Sequence, residues 1–146
     1  MFKKTLKLFR NQKGFTLIEL ITVLVILGAI LGIGVPRYLL IQRQAVWDAD
    51  QNTIKNFAHV AELYAIQGNI KTETGSFDDA VVEIQELIDV GLIDGNTMLS
   101  SLGVSIGAKV TENDEFFEFD ENGYVENLPD VVESLIGERP GSTTGN

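Results

Sequence analysis

From Phe15 to Val35 the chain runs 21 residues with a single charged side chain, Glu19. Such a run can cross the hydrocarbon core of a bilayer as a helix, which takes about 20 apolar residues. It exceeds the apolar core of a cleavable secretory signal, which is about 7–15 residues. Beyond it the pattern changes. Val46, Ala49, Thr53, Phe57, Val60 and Tyr64 recur at steps of three and four, with Ile54, Ala61 and Ala65 beside them. That is the stripe of an amphipathic helix, and Gly68-Asn69 is its expected stop. A continuous helix from Phe15 to Gly68 would be roughly 80 Å long at 1.5 Å per residue. Its apolar stripe needs a cover from the rest of the chain.

Residues 70–77 read as a connecting loop. Ser76 and Asp79 have the spacing of a capping box, and Ala80, Val81, Ile84, Leu87 and Ile88 form the apolar face of a helix ending before Gly91. Asp94-Gly95-Asn96 reads as a turn. Val104, Ile106, Ala108 and Val110 alternate with Ser105, Gly107, Lys109 and Thr111, which predicts a half-buried strand. Residues 115–119 and 124–128 flank Asp120-Glu121-Asn122-Gly123, and Asn-Gly is a strong hairpin signal. Residues 129–136, with a proline inside the start and Gly137 past the end, predict a last short helix. The expected fold class is α+β. A long N-terminal helix, membrane-spanning in its first half and amphipathic in its second, is packed by a small head. The head holds one or two short helices and a roughly three-stranded antiparallel sheet.

Charge divides the chain. Lys3, Lys4, Lys7, Arg10 and Lys13 supply five of its 11 basic side chains before residue 15. A basic flank beside an apolar segment is held in the cytoplasm, so residues from Pro36 onward should emerge on the other side. The remainder carries six basic against 21 acidic side chains. A surface that acidic repels nucleic-acid phosphates, so no direct nucleic-acid binding is expected. There is no cysteine, which excludes disulfides, thiolate metal sites and cysteine nucleophiles.

The boundary between the basic head and the apolar run reads Gly14-Phe15-Thr16-Leu17-Ile18-Glu19-Leu20. Here the chain resembles the type IV pilin superfamily, which includes type IV pilins and the pseudopilins of type II secretion and competence systems. The resemblance covers residues 1–68. It implies that a membrane-embedded prepilin peptidase cuts between Gly14 and Phe15 and methylates the new amine of Phe15. It also implies a homo-oligomeric filament held through the N-terminal helix, with minor pilins and an inner-membrane assembly platform as further partners. Adhesion or motility is the kind of role such filaments serve. The chain would begin as a single-pass membrane protein with a cytoplasmic leader. It would end in an extracellular pilus or an envelope-spanning pseudopilus. The segments expected are a cleaved leader (1–14), a transmembrane and filament-core helix (15–35), its amphipathic continuation (36–68), a globular head (69–137) and a mobile tail (138–146). The absence of cysteine departs from the disulfide-closed loop of many Gram-negative pilins.

A carboxylate at the centre of a membrane helix costs about 2.5–3.5 kcal/mol on insertion scales, so Glu19 needs a partner. The freed amine of Phe15 in a neighbouring subunit is the one expected, which makes Glu19 the assembly residue. Gly32, Gly34 and Pro36 mark the weakest part of the helix, because glycine lowers helix stability and proline removes a backbone bond. Asp114, Asp120 and Asn122 lie in an acidic cluster of the oxygen ligands that calcium prefers. Their spacing matches no EF-hand loop, and a solvated acidic face is the preferred reading. No other cofactor is expected. His59 and Glu62 stand three apart, and one histidine with one acid does not make a metal site. No catalytic constellation is present, so a structural subunit is expected rather than an enzyme. Two rivals remain: a pseudopilin of a secretion or DNA-uptake system, and a membrane-anchored binding module with an uncleaved N-terminus.

Overall fold

A computed structural model describes residues 14–70, 76–77, 80–113 and 115–142 of the chain. It divides into two compact units, residues 1–39 and 40–146. Helix α1, Leu17–Tyr64, begins in the first and ends in the second. The fold is α+β, as the pattern of elements predicts.

The first unit is the helical apolar run. Every residue from 14 to 43 is exposed, including all the leucines, isoleucines and valines of the run. The helix continues through Pro36. Thr22 donates its hydroxyl to the Ile18 carbonyl at 2.7 Å, so this hydroxyl inside the run is satisfied by its own helix.

In the second unit α1 buries Trp47, Asp50, Ile54, Phe57, Ala58 and Ala61, and Ala65 just past its end is buried too. The stripe is therefore turned by about one residue from the expected one: Val46 and Ala49 are exposed, and Trp47 and Asp50 face inward. Phe57, Ile54, Ala61 and Ala65 are buried as predicted. After Tyr64 the helix widens into a π-type turn, Ala65–Asn69, and stops at Gly68, whose φ of 83° is open to glycine. Asn69 completes the stop by donating its side-chain amide to the Tyr64 carbonyl at 3.1 Å.

Strand β1, Val81–Glu83, and helix α2, Ile84–Asp89, occupy the segment expected to be wholly helical. Val81 to Glu83 go to strand because they pair with β4, Phe116–Glu118, in antiparallel register, Val82 opposite Phe117. Val82 and Phe117 are fully buried and Val81 is exposed, the alternation of a one-sided sheet. Ser76 therefore caps no helix, since α2 starts at Ile84; Asp79 lies outside the described residues. Gly91, at φ 77°, follows the helix end as expected.

The turn at Asp94 is present, closed by Thr97 N–H to the Asp94 carbonyl at 2.9 Å. It leads to β2, Met98–Leu99, which pairs with β3, Val104–Ser105. The strand expected over 104–111 ends at Ser105, and Ile106–Asn113 is helix α3. Ile106 and Val110 are buried and four apart, a spacing that suits one helix face as well as a strand face. Gly107 lets this helix approach the preceding turn: a Cβ there would stand 2.9 Å from the Gly95 carbonyl oxygen.

The hairpin expected around Asp120 is reduced to one bridge, Phe119 with Val125. Among the described residues the head thus holds two two-stranded antiparallel sheets, β1–β4 and β2–β3. Helix α4, Leu128–Ile136, carries its proline at the start and Gly137 at its end, as predicted, and buries Val131, Val132, Leu135 and Ile136. Residues 138–142, expected to be a mobile tail, lie against α1. Arg139 forms a two-pronged pair with Asp48 at 3.0 Å, and Gln44 donates to the Pro140 carbonyl at 2.9 Å. Residues 143–146 lie outside the described residues.

Candidate functional site

Helix α1 starts where the sequence turns from polar to apolar, and its first turn is capped by side chains. Thr16 stands just before the helix and Glu19 three residues later. Glu19 N–H donates to Thr16 Oγ1 at 3.3 Å. In return, Glu19 Oε2 accepts from the Thr16 backbone N–H at 2.9 Å and from the Thr16 hydroxyl at 3.0 Å. This is a reciprocal capping box, which satisfies two of the four amide donors that a helix start leaves open. The negative charge also sits at the positive end of the helix dipole. Thr-Leu-Ile-Glu before an apolar run carries the signature of such a box, and Thr16 is the site residue that sequence reasoning missed.

Both donors of Thr16 converge on one carboxylate oxygen. Glu19 Oε1 has no partner among the described residues. Phe15, immediately before the box, is 89 % exposed. Gly14 and Phe15 precede the helix, so the Gly14–Phe15 bond lies in non-helical backbone.

Among the described residues, the helix carrying this site has no apolar partner within its own unit. Leu17, Ile18, Leu20, Ile21, Leu24 and Ile33 are each more than half exposed. A helix that is apolar all round belongs in a bilayer or among other helices. This one is long and apolar enough to cross a membrane. A Cβ at Gly28, Gly32 or Gly34 would meet nothing within 4 Å among the described residues. Pro36 on the same helix is exposed as well.

The remaining candidates are held in place by the head. Asp120 Oδ1 accepts the backbone N–H groups of Asn122 at 2.9 Å and Tyr124 at 2.8 Å. These bonds, that from Tyr124 foremost, hold the Asp120 carboxyl below the usual carboxylate range. The Asn122 amide lies 3.4 Å from Asp120 Oδ2. The two residues suggested as calcium ligands are thus engaged in closing a turn, and the third, Asp114, lies outside the described residues. Among the described residues no cluster of histidine, cysteine and acid could hold a metal ion. His59 Nδ1 is 3.0 Å from Glu62 Oε2, and Glu62 Oε1 accepts the Val125 N–H at 3.1 Å. That pair fastens α1 to the bridge at Val125. Asp50 is a second residue that the pattern concealed. It is buried on the core face of α1 and accepts two backbone N–H groups from the loop after β2.

Residues 9–35 match the family model of the prokaryotic N-terminal methylation motif, the hallmark of type IV pilins and pseudopilins. The match covers the Gly14–Phe15 bond, the capping box and the whole apolar run. No curated protein and no solved structure matches the chain.

Proposed function

We propose that this chain is the precursor of a structural subunit of a type IV pilus-like filament. In this reading a prepilin peptidase cuts between Gly14 and Phe15 and methylates the amine of Phe15, and the mature subunit polymerises through its apolar helix. The observation that carries it is the methylation motif over residues 9–35, which coincides with a helix whose apolar side chains are exposed.

The geometry of the first turn supports the assembly step. Thr16 occupies one oxygen of Glu19, and the other has no partner among the described residues. The cationic amine of a second subunit's Phe15 is a donor of matching charge for it. Burying the two together removes two charges that would each be costly in a bilayer. The acidic heads then lie outward, where their repulsion keeps them soluble. The chain acts as a building block and as a substrate for processing, not as a catalyst. A pseudopilin of a secretion or DNA-uptake system would carry the same motif and use the same first turn.

Intact and N-terminal peptide mass spectrometry on protein from its native membranes and sheared cell surfaces tests this. The expected product starts at Phe15 with one added methyl group and has 132 residues, the 146 of the chain less the 14 of the leader. Recovery in the sheared fraction identifies an external pilus; recovery in membranes alone identifies a pseudopilin. A chain still starting at Met1, in cells with an active prepilin peptidase, would overturn the proposal in favour of an anchored module.

A further inference from the structure

The segment 137–142 is fastened along one stretch of α1. The Trp47 indole N–H donates to the Gly137 carbonyl at 3.0 Å. The Arg139 guanidinium grips Asp48 with two hydrogen bonds of 3.0 Å. The Gln44 amide donates to the Pro140 carbonyl at 2.9 Å. Gly141, at φ 81°, lies so close to the helix that a Cβ there would stand 3.3 Å from Leu40 Cδ1. Residues 137, 140 and 141 meet α1 at 47, 44 and 40 in turn, so the strap runs antiparallel to the helix. Leu40, Gln44 and Trp47 are separated by four and three residues and share one helix face, with Asp48 at its edge. The fastened length is about 12 Å of helix rise.

Four residues before the first fastening point stands Pro36. It has no N–H to give the helix, and Gly32 and Gly34 precede it; these are the two residue types that weaken helices most. An opening that starts there spreads most easily into neighbouring turns, because each added helical residue is held by its neighbours. Unwinding past Leu40 would swing successive side chains off their common face and pull Gln44, Trp47 and Asp48 from the strap together.

We infer that the carboxyl-terminal strap splints α1 over residues 40–48 and confines unwinding around Gly32–Pro36 to the residues before Leu40. The consequence for a filament rests on the function proposed above: the pliable length would end at Leu40, and the head would keep its packing while the helix before it yields.

Hydrogen–deuterium exchange on the full mature chain in detergent micelles decides the matter. A chain ending at Gly137 should exchange the amides of residues 41–48 about tenfold faster, the combined worth of the lost hydrogen bonds and exposed ion pair. The amides of Val82 and Phe117 in the β1–β4 core should stay protected. Unchanged exchange over 41–48 with that core intact would overturn the inference. If the truncated chain loses protection in β1–β4 as well, Arg139→Ala decides, since it removes a surface pair only. It should speed exchange near Asp48 about twofold to fivefold, and no change would overturn the splint. Exchange is read on single subunits, so a wild-type chain that never polymerises would sink the filament reading alone.

Discussion

Asp50, buried on the core face of α1, accepts the backbone N–H of Ser101 at 2.6 Å through one carboxylate oxygen, and its other oxygen takes the N–H of Ser100 at 3.0 Å. A buried carboxylate is costly unless it is hydrogen-bonded. Here the two amides supply the bonds, and the loop between β2 and β3 is pinned to the long helix as a result.

Asp50→Ala should therefore destabilise the head by about 1–3 kcal/mol, the cost of leaving donors without their acceptor. Asp50→Asn should also destabilise, because its NH₂ group would face an N–H donor. Thermal unfolding of the chain in detergent, followed through Trp47 fluorescence, measures both. A melting temperature unchanged in the alanine variant would show that the loop does not depend on this anchor.

Gly107 and Gly95 make a matched pair of tests. A Cβ on Gly107 would stand 2.9 Å from the Gly95 carbonyl oxygen, a backbone atom that cannot turn aside. A Cβ on Gly95 would meet Ile88 Cγ2 at 3.0 Å, and that side chain can move. Gly107→Ala should cost about 1–3 kcal/mol, the range for forcing extra volume into a packed site. Gly95→Ala should cost clearly less. Equal losses in the two variants would mean that α3 does not need the close approach.

The long helix was legible because one apolar run and one three-and-four stripe mark it from end to end. The phase of the stripe was not. Asp50 places a carboxylate on the inward face, so a count of apolar residues shifts toward Val46 and Ala49 and away from the true line through Trp47 and Ile54. Residues 104–111 misled for another reason. Ile106 and Val110 satisfy period two and the i, i+4 spacing equally, and Gly107, Ala108 and Lys109 between them could have decided neither way. The partner of β4 was hidden as well. Asn122-Gly123 signals a turn, and the turn exists, yet Asp120 closes it so locally that only Phe119 and Val125 bridge across it. The edge of β4 is taken instead by Val81–Glu83, more than 30 residues earlier in the chain. In the candidate site, the methylation motif was readable residue by residue. The role of Thr16 was less legible, because the same Glu19 reads both as a charge in an apolar run and as the acid of a capping box.

Glu19→Ala should leave membrane insertion and cleavage intact, since removing a charge eases insertion. Its filament yield should fall at least about tenfold, which a loss of 1.4 kcal/mol per contact is enough to produce. Glu19→Gln keeps a side-chain oxygen for the Thr16 N–H but has no charge for an incoming amine, so it should also assemble poorly. Quantifying sheared filament against processed subunit in the membrane separates the steps. Normal yield from the glutamine variant would show that the capping geometry matters and the charge does not.

Asp120 sets an acid limit on its turn. Its folded-state carboxyl is held below the usual range, first by the Tyr124 N–H and then by the donors of Asn122. The unfolded chain holds its aspartates near the ordinary value of about 3.9. A depressed folded pKa means that the unfolded state binds protons first as pH falls, so the contribution of Asp120 is whole above about pH 4 and fades as pH drops through the folded value. Asp120→Ala removes that contribution at every pH. The melting temperatures of wild type and variant should differ at pH 6 and converge as pH falls below about 4. A difference that stays constant over that range would assign the loss to turn geometry rather than to the ionised carboxylate.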